Sequence, residues 1–231
     1  MNKFSFLQPF ADALLNRRLS DELGLWNGKM GIAITLFHLS RITQKKEYER
    51  QANDLVDEVY NKISNQISYD FAEGLLGIGC GLEYLLHKRF VEGNSDDILL
   101  EIDLLTRNII DMRLMDSLDF GKGVGGIGYY IYCRLRNKSE EEEGLATLKL
   151  KEYLIYLIDW LEELLSSTGC EIDYMNTYFL LCRLWKLEVF NYKVEKLTSF
   201  CLEKMIKGNC DLHDHYVLLG IPSLIILKPW I

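Results

Sequence analysis

The segment Gly74-Leu-Leu-Gly77-Ile opens an apolar stretch and recurs as Gly28-Lys-Met-Gly31-Ile and as Gly123-Val-Gly-Gly126-Ile. A weaker copy is Gly220-Ile-Pro-Ser223-Leu. The same spacing places a fifth copy, without the glycines, at Asp173-Tyr-Met-Asn176-Thr. The fourth positions of the five copies are therefore 46, 49, 50 and 47 residues apart. A constant period of about 20–50 residues is typical of repeat proteins, so the sequence predicts one supersecondary unit used five times.

Between the copies, apolar residues recur every three or four positions, which is the period of an amphipathic helix. The segments after the motifs are apolar on nearly all sides instead. The sequence thus predicts ten helices in five pairs, each an amphipathic helix followed by an apolar one, and no strand. The amphipathic members are residues 6–19, 48–67, 96–115, 144–166 and 191–206, and the apolar members are 32–39, 78–86, 126–135, 178–182 and 224–227.

A helix that is apolar all round must be covered on every side. Two concentric rings, with apolar helices inside and amphipathic helices outside, meet this requirement. We therefore predict an all-α chain folded as an α/α toroid of about five helical hairpins, in a single domain over residues 1–231. Glycines at the starts of the inner helices would let the backbones approach closely where these helices crowd together.

Composition excludes several classes of function. The formal net charge of −8 is unfavourable for nucleic-acid binding, which needs a basic face. No window approaches the roughly 18 apolar residues of a membrane span, and residues 1–9 lack the apolar stretch of a signal peptide. We expect a cytoplasmic protein. Four cysteines lie within predicted helices, as is usual for reduced cysteines: Cys80, Cys133, Cys182 and Cys201.

Three segments resemble the lanthionine synthetase C-like family, whose cyclases close thioether rings in ribosomally made peptides. They are Gly24–Ala33, Tyr69–Leu85 and Asp119–Gly128, and the second keeps the family's Gly-x-x-Gly-Ile-Gly core. The resemblance implies a double ring of helices and a role in peptide modification. The family has seven helix pairs where this sequence has five. Either the ring closes with five pairs, or an apolar flank near Ile225–Ile231 stays uncovered and binds another subunit or partner, and we expect the second.

The resemblance also implies a zinc ion held by two cysteines and one histidine, which would turn a substrate thiol into a thiolate. At the positions where the family has these ligands, this sequence has Glu171 and Leu218-Leu219, so the zinc site is not carried over by position. A displaced set of Cys170, Cys210 and His213 or His215 would supply the sulfur and nitrogen ligands that suit zinc. We nevertheless expect that the chain binds no catalytic zinc and does not close thioether rings unaided.

The loops before the inner helices carry the candidate binding residues. Helix N-termini there present unpaired N–H groups, and aromatic side chains beside carboxylates in a concave mouth suit an extended peptide. The candidates are Trp26, Tyr69, Asp70, Glu73, Asp119, Asp173 and Tyr174. For the acidic members the alternative is that they only cap helices.

Three functions remain open at this stage. The first is a peptide-binding or accessory component of ribosomal peptide modification, whose partner is a modified peptide or a partner enzyme, with a homo-oligomer as a further expectation. The second is a glycoside-processing enzyme, because α/α toroids also support acid–base chemistry by paired carboxylates, here drawn from Asp70, Glu73, Asp119 and Asp173. The third is an interaction scaffold. The Gly-x-x-Gly-Ile-Gly repeats favour the first.

Overall fold

The computed structural model describes residues 8–17, 21–26, 28–63, 67–138, 144–167 and 173–207. Across these ranges every regular element is a helix and there is no strand, which confirms the predicted all-α class. None of the helices in this part of the chain is long and apolar enough to cross a membrane. The helices are α1 Gln8–Arg17, α2 Lys29–Thr43, α3 Lys46–Lys62, α4 Leu75–His87, α5 Ser95–Ile98, α6 Leu100–Met112, α7 Val124–Leu135, α8 Leu145–Ser166, α9 Tyr174–Trp185 and α10 Asn191–Lys207.

The described residues form two compact units. The first unit runs from α1 to Gly81, and the second runs from Leu82 to Lys207, so the boundary lies inside α4. The single domain over residues 1–231 stays a prediction. The fifth predicted apolar helix, residues 224–227, and the apolar end Ile225–Ile231 lie outside the described residues.

The amphipathic segment predicted as one helix over residues 96–115 is instead two helices. α5 begins after Asn94, whose side-chain oxygen accepts a hydrogen bond from the Asp96 N–H, and it ends at Ile98. At Leu99 the backbone has φ −100° and ψ 4°, outside α-helical values, and α6 begins at the next residue. Periodicity does not reveal this break because the apolar residues on both sides of it keep a helical spacing.

The apolar helices are the buried ones, as predicted. Residues 75–85 of α4 and all twelve residues of α7 are buried, and so is nearly all of α2 up to Ser40. α9 is the exception, because Phe179 and Trp185 are 45% and 52% exposed. The amphipathic helices bury one stripe each, which in α3 consists of Tyr48, Ala52, Leu55 and Val59.

The closest helix pairs differ from the predicted pairs. We expected each amphipathic helix to pair with the apolar helix after it, but the most extensive contacts join α2 to α3 and α9 to α10, where the apolar helix comes first. The reason is the length of the connections. Residues 44–45 and 186–190 link these pairs, whereas longer loops enter α4 and α7. Within the second unit, α7 also contacts α9 and α6 contacts α8, so like helices adjoin each other.

Glycines allow close approaches at the start of α4 and further along α4 and α7. A Cβ on Gly77 would lie 2.0 Å from the Phe71 carbonyl oxygen, and a Cβ on Gly81 would lie 2.4 Å from the Met30 Cγ. In the second unit, a Cβ on Gly128 would lie 2.7 Å from a methyl carbon of Leu180. At each of these positions a larger residue would force the structure to shift.

A buried ionic cluster in the second unit joins α4, α5, α6 and α7. Arg134 Nη2 donates to Asp103 Oδ2 at 2.9 Å and to Asp96 Oδ1 at 2.8 Å. Its Nη1 donates to Glu83 Oε2 at 2.8 Å, and the Arg134 side chain is fully buried. Burial raises the pKa of Glu83, although Arg134 opposes that effect. Because removing Arg134 would take away the cation that the buried carboxylates of Glu83 and Asp103 share, the cluster favours this packing of the four helices.

Candidate functional site

The loops that enter α4 and α7 have the same construction. Their sequences share the pattern Ser-x-Asp-Phe-x-x-Gly, at residues 68–74 and 117–123. In both loops the first N–H of the helix donates to the serine carbonyl oxygen, over 2.8 Å from Leu75 to Ser68 and 2.9 Å from Val124 to Ser117. The shared bond makes the two loops copies of one turn. The glycines of this turn were predicted from the sequence, and its serine was not.

The aspartate of each turn binds the backbone of its own loop. Asp70 Oδ1 accepts hydrogen bonds from the N–H groups of Glu73 and Gly74, at 2.8 and 3.2 Å, and Ser68 Oγ donates to Asp70 Oδ2 at 2.5 Å. Asp119 Oδ1 accepts one from the Lys122 N–H at 2.6 Å. These carboxylates therefore stabilise the loops, which is the capping alternative for Asp70 and Asp119.

Asp173 and Tyr174 begin α9 in the second unit. Asp173 Oδ1 accepts a hydrogen bond from the Asn176 N–H at 2.9 Å, so this candidate is the N-cap of the helix. The Tyr174 ring packs edge-on against Phe200 of α10, with the ring centres 6.4 Å apart. Both residues remain half-buried, and each already has a structural role at the α9–α10 pair.

The first unit brings together the loop before α2, which we call the first motif loop, and the loop before α4, the second motif loop. The Trp26 N–H donates to the Ala72 carbonyl oxygen at 3.0 Å, and a Cβ on Gly24 would lie 2.3 Å from the Glu73 Cα. The Trp26 ring meets Phe71 edge-on, with ring centres 6.2 Å apart. The Trp26–Ala72 hydrogen bond and the close approach of Gly24 to Glu73 hold the two loops together. The candidates of both loops therefore lie on one joined surface.

Two candidates of this joined surface are exposed, and a third lies half-buried on the first of the two loops. Tyr69 is 36% exposed and Glu73 is exposed. The half-buried Trp26 has its indole N–H enclosed, with no hydrogen-bond partner among the described residues. We call Trp26, Tyr69 and Glu73 the loop face. Aromatic rings can stack on apolar side chains, and a carboxylate can accept hydrogen bonds from peptide N–H groups.

A charged residue at the start of α2 was not among the predicted candidates. Lys29 is buried, and its ammonium group forms an ion pair with Glu58 of α3. Glu58 also pairs with Lys62 at 2.8 Å, and the hydrogen bonds from both lysines lower the pKa of the Glu58 carboxyl. The sequence does mark Lys29 as unusual, because the other two clear copies of the motif have leucine or valine at this position. The pair ties the first loop to α3.

The described residues offer no clear zinc site. They contain no group of three histidine, cysteine or acidic side chains placed to hold a metal ion. The candidates Cys170, Cys210 and His213, and the register positions Glu171 and Leu218-Leu219, lie outside the described residues. Among the described cysteines, burial raises the pKa of Cys201 to about 12, so its thiol stays protonated at neutral pH.

Comparison with known proteins agrees with the resemblance carried by the glycine motifs. A family model described as lanthionine synthetase C-like protein matches residues 20–182, which is more than half of the chain. No curated protein matches the chain significantly. The matched range contains the three clear copies of the motif, and the family's α/α toroid is consistent with the all-helical structure of the described residues. The chain therefore belongs to the lanthionine synthetase C-like family.

Proposed function

We propose that the chain binds a peptide at the loop face, as an accessory component of ribosomal peptide modification, and leaves thioether ring closure to another protein. The observation that carries the proposal is the joining of the first two motif loops in one unit, with Trp26, Tyr69 and Glu73 on them. Family membership supports peptide modification as the setting for this binding.

The construction of the loops supports binding rather than acid–base chemistry. Asp70, Asp119 and Asp173 each accept backbone N–H groups, which holds their carboxylates in place as acceptors. A glycosidase needs one carboxyl group that carries a proton for the leaving group. Nothing in the bonding of these three carboxylates favours that role, and the exposed Glu73 would have no second free carboxylate among the candidates to act with, so the peptide-binding function is the better fit.

The residues at the positions of the family's zinc ligands support the proposal that this chain does not close thioether rings by itself. A free cysteine thiol, with a pKa of about 8.5, is only a few per cent thiolate at neutral pH, so a cyclase of this family relies on its metal. Here a glutamate and two leucines occupy the register of the zinc ligands. Zinc analysis of the purified chain and of its Cys210→Ser variant tests this part. We expect substoichiometric zinc in both, and stoichiometric zinc lost in Cys210→Ser would overturn it.

Peptide binding is tested by fluorescence anisotropy with a defined probe, a fluorescein-labelled synthetic peptide that contains one dehydroalanine and one cysteine. We expect saturable binding that Tyr69→Ala and Glu73→Gln each weaken about tenfold, the effect of losing one good contact. The matched controls are Tyr60→Ala and Glu49→Gln, because both residues are exposed on α3, outside the loops. Equal affinities for the loop variants and the control variants would contradict the proposal.

A further inference from the structure

The exposed face of α8 is unlike that of the amphipathic helix α3. α3 exposes mainly charged and polar side chains, and its one large exposed apolar residue is Tyr60. α8 instead exposes four large apolar residues, with exposed fractions of 69% for Leu145, 52% for Leu148, 37% for Ile155 and 43% for Tyr156. An exposed apolar surface of this kind on an ordered helix marks an interaction site.

These residues form one stripe along the helix. The apolar positions 145, 148, 155 and 156 lie on the same side of an α-helix, and so do the exposed Lys149 and Glu152 between them. The Tyr156 hydroxyl donates to Glu152 Oε1 at 3.1 Å, which directs that carboxylate along the stripe. Read from either end, the stripe has an apolar pair, a charged residue, a charged residue of opposite sign and a second apolar pair.

We propose that a second copy of this chain covers the stripe, with the two α8 helices antiparallel about a twofold axis. In that arrangement the two apolar ends exchange partners, so that Leu145 packs on Tyr156 of the partner subunit. At the centre, Lys149 faces Glu152 of the partner subunit, and symmetry repeats this ion pair. A twofold interface requires such a self-complementary surface, and the order of residues in the stripe supplies it.

Exposed leucines of α6 extend the same surface. Arg107 lies over the Tyr153 ring at 5.8 Å and Arg113 over the Trp160 ring at 5.4 Å, so α6 and α8 run in the same direction. This alignment places Leu100 and Leu104, which are 53% and 44% exposed, beside the first turns of α8. An interface built on one 22-residue helix and its flank is small, so we expect a dissociation constant on the order of micromolar.

Sedimentation velocity over about 1 to 100 µM protein tests the proposal with charge reversals. We expect a concentration-dependent monomer–dimer equilibrium in the wild type. Lys149→Glu and Glu152→Lys should each weaken dimerisation about tenfold, because two unlike-charge pairs become two like-charge pairs. An equimolar mixture of the two variants should dimerise again, since the glutamate introduced into one chain then faces the lysine introduced into the other.

An apolar substitution gives a second, independent readout. Leu148→Glu should abolish the dimer, whereas the matched control Tyr60→Glu on α3 should leave it intact, and both side chains are exposed enough for the fold to tolerate the change. A wild type that stays monomeric throughout the range would overturn the proposal. So would a dimer that persists in Leu148→Glu, or a mixture of the charge variants that stays monomeric. The peptide affinity of the loop face is a separate measurement, and its failure would leave this test unaffected.

Discussion

The loop before α4 and the loop before α7 use the same serine, aspartate and glycine to make one turn, but they expose different side chains. In the loop before α4 Tyr69 is accessible, whereas Leu118 at the same position of the loop before α7 is buried. One residue before the shared glycine, the α4 loop exposes Glu73 and the α7 loop exposes Lys122. The shared residues hold the backbone, and the residues between them set the chemistry that each loop presents.

This difference separates two kinds of candidate that look alike in the sequence. Asp70 and Glu73 are three positions apart and both acidic, yet the Asp70 carboxylate accepts three hydrogen bonds from its own loop while Glu73 is exposed. A residue that holds the turn should affect stability when it is replaced. A residue that the turn presents should affect binding instead. Substitutions in both loops test this division, and the largest effect is expected at the glycines.

The closing glycines should be the most sensitive positions of both loops. A Cβ on Gly74 would lie 2.2 Å from the Ser68 carbonyl oxygen, and a Cβ on Gly123 would lie 2.3 Å from that of Ser117. Backbone atoms cannot move aside cheaply, so we expect Gly74→Ala and Gly123→Ala each to lower the free energy of unfolding by about 3 kcal/mol or more. Urea denaturation measures both changes.

The control for these substitutions is Gly144→Ala, at the exposed N-cap of α8. It should cost less than about 1 kcal/mol, because only a weak capping preference is lost. If one of the two loop variants were as mild as this control, the two loops would not share one turn.

The loop before α2 should not tolerate an aspartate at the position where the loops before α4 and α7 have one. Gly24 stands at the position of Asp70 and Asp119, and a Cβ there would lie 2.3 Å from the Glu73 Cα. We therefore expect Gly24→Asp to lower the free energy of unfolding by about 2–3 kcal/mol in urea denaturation, although aspartate is the residue at this register elsewhere. A neutral or stabilising result would mean that the loop is built like the others and that its contact with Glu73 can open.

The two aspartates should differ in how much they stabilise their loops. Asp70 accepts two backbone N–H groups and the Ser68 hydroxyl, whereas Asp119 accepts the Lys122 N–H. We expect Asp70→Ala to cost about 2 kcal/mol and Asp119→Ala about 1 kcal/mol of unfolding free energy. Thermal unfolding of the two variants side by side measures the difference, and a larger loss for Asp119→Ala would contradict the assigned bonding.

The exposed residues should leave stability almost unchanged. Tyr69→Ala and Glu73→Gln change side chains that the turn presents to solvent, so we expect shifts within about 0.5 kcal/mol of unfolding free energy. The same urea denaturation measures them. A loss of stability as large as that of Asp70→Ala would mean that these side chains stabilise the loop rather than form its binding surface.

The fold followed from the sequence because its signal is periodic. Glycines at constant spacing and apolar residues at helical spacing are both visible without coordinates, and they predicted the all-α class and the buried helices α2, α4 and α7. The pairing of helices did not follow, because it depends on connection lengths such as the short link at residues 44–45. The buried partners of Arg134 did not follow either, since a single arginine in an apolar run does not reveal which carboxylates reach it.

The candidate site was predicted only in part for a similar reason. An acidic residue beside a helix start can cap the helix or face a ligand, and both uses favour the same residue types. Hydrogen bonding to the loop N–H groups separates Asp70 from Glu73, and this bonding is a property of the folded turn. The serine of the turn was not predicted because a lone serine in a loop carries little signal.

We propose above all that the chain holds a peptide without closing its thioether ring, and thiol counting tests this central claim most directly. The dehydroalanine and cysteine peptide is incubated with saturating protein and then alkylated with iodoacetamide before mass spectrometry. Ring closure adds the thiol across the double bond and leaves no thiol to alkylate. We predict that the alkylated fraction stays equal to that of peptide incubated alone. An unalkylated fraction that grows with time in the presence of the protein would contradict the claim.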